Sequence, residues 1–123
     1  MKTIKVMLII IVLSLSSFTL VCADDVNGKA LFNDPKFAGS TNDKSCNSCH
    51  PDGRGLGKAA DKETFSIMGD QLDSLEDTIN TCIKMALKGN KLSKDSQQMK
   101  DIVQYIKSLK GKKIKKKRII KGC

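Results

Sequence analysis

The sequence predicts an all-α domain between a short leader and a basic tail. Two stretches in the second half of the chain place apolar residues at helical spacing. No run alternates polar and apolar residues for long enough to predict a strand. Hydrophobic residues make up 40% of the 123 residues, so the chain is expected to fold around a core. With no Trp, one Tyr and four Phe, that core is short of aromatic rings.

Three helices are expected in the body of the chain. The first begins near Asp24, whose side chain can accept from exposed backbone N–H groups, and ends before Pro35. Residues 37–57 are rich in Gly, Ser, Asn, Asp and Pro, which predicts a loop or a broken helix. A second helix is expected from Leu72 to a glycine stop at Gly89. Its apolar face comprises Leu72, Leu75, Ile79, Cys82, Ile83 and Ala86.

The last helix has the clearest pattern. Asp95, followed three residues later by Gln98, has the spacing of a capping box and predicts the start of this helix. An apolar stripe follows at helical spacing, which indicates that one face is buried. The stripe comprises Met99, Ile102, Val103, Ile106 and Leu109.

Residues 1–23 have the pattern of a secretory signal peptide. A basic start precedes an apolar run from Val6 to Val21, and the residues that follow allow cleavage after Ala23. An uncleaved membrane anchor is the alternative, although the run is short for a span of ~20 residues. Lipidation of Cys22 is a further alternative. We expect the mature chain to occupy the periplasm or another extracytoplasmic compartment, in soluble form.

The basic residues are concentrated in a tail. Residues 110–123 hold eight basic residues and no acidic one, whereas residues 24–109 hold 12 basic and 13 acidic residues, a net charge of −1. A lysine-rich run of this kind is usually a solvated arm, and it suits weak contact with a membrane surface or an acidic partner. No aromatic residue lies among these lysines, and nucleic acid is not an expected partner.

The most informative motif is Cys46-Asn47-Ser48-Cys49-His50. C-x-x-C-H is the attachment signature of c-type haem. Two thiols with this spacing add across the two vinyl groups of one porphyrin, and the adjacent histidine reaches the iron as its proximal ligand. Attachment happens outside the cytoplasm, so the motif and the leader support each other. A covalent haem c also supplies apolar bulk that a small core needs.

Two other classes of protein share parts of this pattern. Cys46, Cys49, His50 and Cys82 form a Cys3His set that suits tetrahedral zinc. A histidine directly after the second cysteine is, however, tight geometry for binding the same ion. An enzyme is the other class, but no acid–base constellation accompanies the motif in the sequence. Independent catalysis is therefore not expected.

The body of the chain resembles class I cytochromes c. Residues 28–32 resemble the first helix of that family, residues 44–50 its haem site, and residues 101–109 its last helix. The resemblance implies the class I cytochrome c fold over residues 24–109, with helices packed around one covalent haem. It also implies that Gly28 allows the first and last helices to approach closely and that Tyr105 packs where they cross.

The sequence departs from ordinary class I cytochromes at the second axial ligand. Those proteins usually supply a methionine from the loop before the last helix, but residues 89–95 contain none. Because His50 is the only histidine, two histidine ligands from one chain are excluded. The remaining candidates are Cys82, Met99, Met85, Met68, a lysine, or an open site.

The segment around Cys82 is similar to part of the SoxA proteins and thiosulfate dehydrogenases, in which a cysteine binds the iron. It also resembles small His/Cys-ligated cytochromes of the NaxL and NaxS type, which pair as heterodimers. The resemblance implies that Cys82 is the distal ligand and that the reduction potential is low, because an anionic ligand stabilises ferric iron. A core position or a disulfide with Cys123 are the alternatives for Cys82. Met99 is expected in the core.

Together these observations predict an exported monohaem cytochrome that transfers single electrons. The expected partner is a redox protein, and the resemblance implies that it is a second small c-type cytochrome that makes a heterodimer. Gas binding is the alternative within the haem class. If Cys82 leaves the iron, the open position would take NO or CO, and the protein would act as a sensor or scavenger.

Overall fold

Helices form most of the secondary structure, as the sequence predicts. The computed structural model describes residues 23–67 and 69–112. Short 3-10 turns shape the connecting segments at Phe37–Gly39, Pro51–Gly53 and Ala59–Asp61. In chain order the remaining elements are helix α1 (Ala23–Asn33), helix α2 (Cys46–Cys49), strands β1 (Phe65–Ile67) and β2 (Asp70–Leu72), helix α3 (Leu75–Cys82), a π-helix (Ile83–Leu87) and helix α4 (Gln97–Ser108).

Helices α1 and α4 pack against each other more extensively than any other pair of elements in the described chain. A Cβ atom at Gly28 would lie 2.1 Å from the carbonyl oxygen of Asp101 and 2.6 Å from the Cβ atom of Tyr105. Only glycine permits so close an approach. Beside it the rings of Phe32 and Tyr105 pack with their centroids 5.1 Å apart. The predicted roles of Gly28 and Tyr105 at the crossing are confirmed.

The core extends from this crossing towards α3 and the π-helix. The predicted stripe of α4 is confirmed, because all five of its residues are buried. Burial of such apolar side chains is the main stabilising contribution in a small domain. The buried apolar residues are Phe32, Phe37, Phe65, Leu75, Ile79, Ile83, Leu87, Met99, Ile102, Val103, Tyr105, Ile106 and Leu109.

A small antiparallel hairpin replaces the predicted first turn of the second helix. Phe65 pairs with Leu72 and Ile67 with Asp70, so Leu72 lies in a strand and not in a helix. Helix α3 begins later because Ser74 caps it, its hydroxyl accepting from the Asp77 N–H at 3.1 Å. Strands of three residues are too short to show a period-two pattern, which is why the sequence did not predict them.

Two other predicted helix ends are wrong. The π-helix ends at Leu87 and is capped by Lys88, which adopts the left-handed conformation with φ of 55°. Gly89 instead allows the backbone to approach the segment at Ala38 closely, since a Cβ atom at Gly89 would lie 2.8 Å from the carbonyl oxygen of Ala38. Helix α4 is capped by Ser96, which accepts from the Met99 N–H at 3.3 Å, and not by Asp95.

The predicted leader and tail lie largely outside the described residues. Of the leader, only Ala23 is described, as the first residue of α1. Of the tail, residues 110–112 are described, and Lys110 makes an ion pair of 2.5 Å with Asp61. Within residues 23–67 and 69–112, no helix has the length and apolar character required to cross a bilayer.

Candidate haem-binding site

The C-x-x-C-H motif forms a single helical turn at one side of a cleft. Its N-terminus is fixed by Ser45, whose backbone N–H donates to the hydroxyl of Ser48 at 3.1 Å. Helix α2 then carries Cys46, which is half-buried, and Cys49, which is exposed. The backbone N–H of His50 donates to the carbonyl of Cys46 at 2.9 Å, which closes the turn. The local fold therefore brings both thiols and the imidazole to one short segment.

The imidazole of His50 is oriented by the backbone that follows it. Its Nδ1 atom lies 2.9 Å from the carbonyl oxygen of Arg54. A carbonyl only accepts, so Nδ1 carries the proton and Nε2 keeps its lone pair for a metal ion. Gly53 and Gly55 have φ values of 82° and 84°, and this left-handed backbone turns the carbonyl of Arg54 towards the ring.

The cleft beside this turn and the open space at its mouth together span about 630 Å³. Its lining contains His50 and three thiols, those of Cys46, Cys49 and Cys82, and is otherwise almost entirely apolar. The structure thus brings together the four residues that the sequence singled out. The apolar lining residues are Phe32, Leu56, Leu75, Ile79, Ile83, Ala86, Leu87, Ile102 and Ile106.

A second part of the cleft extends towards the hairpin. Together with the open space at its mouth it spans about 1030 Å³, and it shares His50, Leu56, Leu75, Thr78 and Cys82 with the first part. Its remaining walls come from residues 55–59 and from the neighbourhood of β1. A large apolar ring attached through Cys46 and Cys49 fits this cleft, because the attachment turn, the oriented imidazole and the apolar walls all meet there.

The protein environment disfavours the charged form of two of these thiols. Burial raises the pKa of Cys46 to about 11, and the nearby Cys82 contributes to the same effect. Burial also raises the pKa of Cys82, and the nearby Cys49 adds to this effect. A thiolate at Cys82 at neutral pH therefore requires a bound cation.

The backbone that follows Cys82 is held by a distant polar segment. A π-helix has a wider turn than an α-helix and often occurs at functional sites. Here the hydroxyl of Ser40 donates to the carbonyl of Leu87 at 2.8 Å, and the side-chain amide of Asn42 donates to the carbonyl of Ala86. These bonds satisfy carbonyls at the end of the helix and fix its position beside the cleft.

Helix α3 is also tied to the segment before α4. The buried amide of Asn80 donates to the carbonyl of Leu92 at 2.9 Å and accepts from its N–H at 2.8 Å. Sequence reasoning missed this pair and the polar segment at residues 40–42. Ser, Thr and Asn residues are common in loops, and their partners 12 to 47 residues away cannot be located from the sequence.

The methionine candidates for the distal position occupy other places. Met99 is 1% exposed in the core and does not line either part of the cleft. Met85 is 44% exposed and is also absent from the lining. Met68 and Cys123 lie outside the described residues, so the disulfide alternative for Cys82 stays a prediction.

The zinc alternative receives no support from the geometry. Among residues 23–67 and 69–112, no group of three or more His, Cys, Asp or Glu side chains is arranged to hold a metal ion. Cys46, Cys49, His50 and Cys82 line one cleft, but they are not grouped as the ligands of a single tetrahedral ion would be.

Helices around an apolar cleft, with a C-x-x-C-H turn and an oriented histidine at its wall, define a class I c-type cytochrome. A family model described as the SoxA/TsdA cytochrome c domain matches residues 27–114, and the chain belongs to this family. It is accordingly an electron-transfer haem domain with covalently bound haem c. No curated protein and no solved structure matches the chain significantly.

Proposed function

We propose that this protein is an exported one-electron carrier whose haem iron is bound by His50 and Cys82. The observation that carries the proposal is the position of Cys82. It lines both parts of the cleft together with His50, whereas Met99 and Met85 line neither. Among the sulfur ligands of the described residues, Cys82 is the one that lies in the cleft without belonging to the attachment motif.

The residues of the chain have distinct roles in this proposal. When bound, haem c supplies an iron that changes reversibly between ferric and ferrous states. Cys46 and Cys49 hold the ring, and the carbonyl of Arg54 keeps the Nε2 atom of His50 available. The anionic sulfur of Cys82 favours the ferric state and lowers the reduction potential. The apolar walls exclude water, so little solvent reorganises when an electron moves.

Electron transfer without bond chemistry is supported by the composition of the cleft. No aspartate or glutamate is among the described residues that line either part. General acid–base catalysis usually depends on such groups or on a histidine that can exchange its proton. His50 is the histidine present, and its Nδ1 proton is committed to Arg54.

The proposed partner is a redox protein in the same extracytoplasmic compartment, in the form of a second small c-type cytochrome. The family assignment and the predicted leader support this compartment. Size-exclusion chromatography of the mature protein, alone and with a candidate cytochrome, measures whether a heterodimer forms. Elution of both chains unchanged in the mixture would contradict the pairing.

The ferric spectrum of the mature holoprotein tests the ligand assignment. We expect thiolate features in the electronic and electron paramagnetic resonance spectra, and no far-red methionine–iron band. Cys82→Ala removes these thiolate features, whereas Met99→Leu, a matched change of a core sulfur residue, leaves them in place. A methionine–iron band in the parent protein, or an unchanged ferric spectrum in Cys82→Ala, would show that Cys82 is not the ligand.

Gas binding is the second candidate function. The specific observation behind it is the half-buried position of Cys82, where burial favours a neutral thiol over a thiolate. A neutral thiol is a weak ligand, so a small neutral gas could replace it on reduced iron. Titration of the reduced holoprotein with CO, followed in the visible spectrum, tests this function. An unchanged reduced spectrum under saturating CO leaves electron transfer as the function.

A further inference from the structure

The two parts of the cleft differ in charge. The part beside helix α2 has no lysine or arginine in its described lining. The part beside the hairpin has two, Lys58 and Lys62. Its other titratable lining residues are His50 and Cys82, and no carboxylate is among them. Positive charge is therefore confined to one end of an otherwise apolar cleft.

A single 3-10 turn holds these two lysines. Lys58 precedes and Lys62 follows the turn Ala59–Asp61, so the two residues flank it at its two ends. The turn is anchored by the Ala59 N–H, which donates to the carbonyl of Leu56 at 2.8 Å. Leu56 and Ala59 themselves line the cleft, which fixes the turn at its mouth.

The acidic residue of this turn is engaged elsewhere. Asp61 pairs with Lys110 at 2.5 Å, just after the end of helix α4. The ion pairs found among the described residues join Lys36 to Asp43, Lys94 to Asp77 and Lys110 to Asp61, and none involves Lys58 or Lys62. Both lysines remain available to an anion at the mouth of the cleft.

Haem c brings two such anions, the propionate carboxylates on one edge of the ring. An ionised carboxylate placed in an apolar environment without a partner is strongly destabilised. We propose that Lys58 and Lys62 bind the haem propionates and so orient that edge of the ring towards the turn Ala59–Asp61. This inference rests on the haem c assignment, but it is independent of the proposed ligation by Cys82.

The propionate bending band in the resonance Raman spectrum of the mature holoprotein tests the inference. We expect this band to shift in the Lys58→Gln and Lys62→Gln variants, and more in the double variant. The band is restored in Lys58→Arg and Lys62→Arg, which keep the positive charge. Lys100→Gln is the matched control, because Lys100 is exposed on α4 and does not line the cleft. There the band stays at its parent position.

The single variants keep the test informative if the double variant does not retain haem. An unshifted propionate band in both single variants overturns the inference.

Two other outcomes would assign the lysines a different role. If only the salt dependence of electron transfer to an acidic partner changes, the lysines serve docking and the inference is wrong. Loss of a lysine-type ferric spectrum in either variant would instead identify an axial lysine, and would also overturn the assignment of Cys82. An unaltered ferric spectrum with a shifted band supports the propionate assignment alone.

Discussion

The side-chain amide of Asn80 hydrogen bonds to both backbone polar atoms of Leu92. This reciprocal pair of hydrogen bonds has the pattern found between the backbones of two neighbouring strands, although Asn80 lies in a helix. The segment held in this way lies where ordinary class I cytochromes carry their methionine ligand. Here the segment contains no methionine, and Asn80 ties it to the helix that ends at Cys82.

We predict that Asn80→Ala destabilises the protein. Removal of the amide leaves the partly buried N–H and carbonyl of Leu92 without their side-chain partner, and a buried group left so costs ~1–3 kcal/mol. The free energy of unfolding of the ferric holoprotein, measured with urea, should fall by about 3 kcal/mol. Asn90→Ala, an exposed asparagine in the same segment, is the control and should change it little. Equal losses in both variants would argue against a specific role for Asn80.

Gly28→Ala should weaken the crossing of the first and last helices. The added methyl group would lie 2.1 Å from the Asp101 carbonyl oxygen, so the two helices must separate. Overpacking of this kind typically costs ~1–3 kcal/mol, and the contact with rigid backbone places this variant at about 3 kcal/mol or more. Lys29→Ala on the exposed face of α1 should change stability by less than about 0.5 kcal/mol. Similar urea midpoints for the two variants would contradict the prediction.

Asp77 makes stability depend on acid pH. Its hydrogen bonds with Lys94 and Ser74 hold the pKa of Asp77 below its ordinary value of 3.8. Because the folded-state pKa is lowered, the stabilisation is present above pH 3.8 and is lost as the pH falls through the lowered value. Asp77→Asn should therefore lower the urea midpoint at pH 7, and the difference from the parent should vanish in strong acid.

The matched control for this prediction is Asp95→Asn. Asp95 is exposed and makes no ion pair within the described residues. Its replacement should leave the difference between neutral and acid midpoints as in the parent protein. A pH dependence as large in Asp77→Asn as in the parent protein would assign the effect to another group.

Cys82→Met should raise the reduction potential. A neutral thioether stabilises ferrous iron better than an anionic thiolate does. Axial ligands span a range of ~0.8 V, and this exchange should raise the potential by on the order of 100 mV. Spectroelectrochemical titration measures the change, with Met99→Leu as the control that should not move it. An unchanged potential in Cys82→Met would contradict axial ligation by Cys82.

Features that depend on local pattern could be predicted from the sequence. The attachment motif ending at His50 is contiguous, and the apolar stripe of α4 follows a simple period. The role of Gly28 was predicted only from the family resemblance. The sequence alone does not show it, because the missing side chain matters only where two helices distant in sequence meet. The cap of α4 was misplaced by one residue, since Asp95 and Ser96 are both favourable capping residues.

Features that depend on long-range contacts could not be predicted. The position of Cys82 in the cleft and its position in an apolar core follow the same helical period, so the sequence could not separate them. The positive charge at the mouth of the cleft could not be predicted either. In the sequence Lys58 and Lys62 look like any other exposed lysines, and only the folded structure shows that both line the cleft.

The bonds from residues 40–42 to the end of the π-helix also bear on the order of events during biosynthesis. Ser40 and Leu87 are 47 positions apart, so their hydrogen bond forms only after most of the chain has been made. The segment that leads into Cys46 therefore lacks its partners while the chain is still incomplete. Non-local contacts form late because their loop-closure entropy must be overcome first. On this basis we expect both attachment thiols to be accessible to haem before the structure closes around the ring.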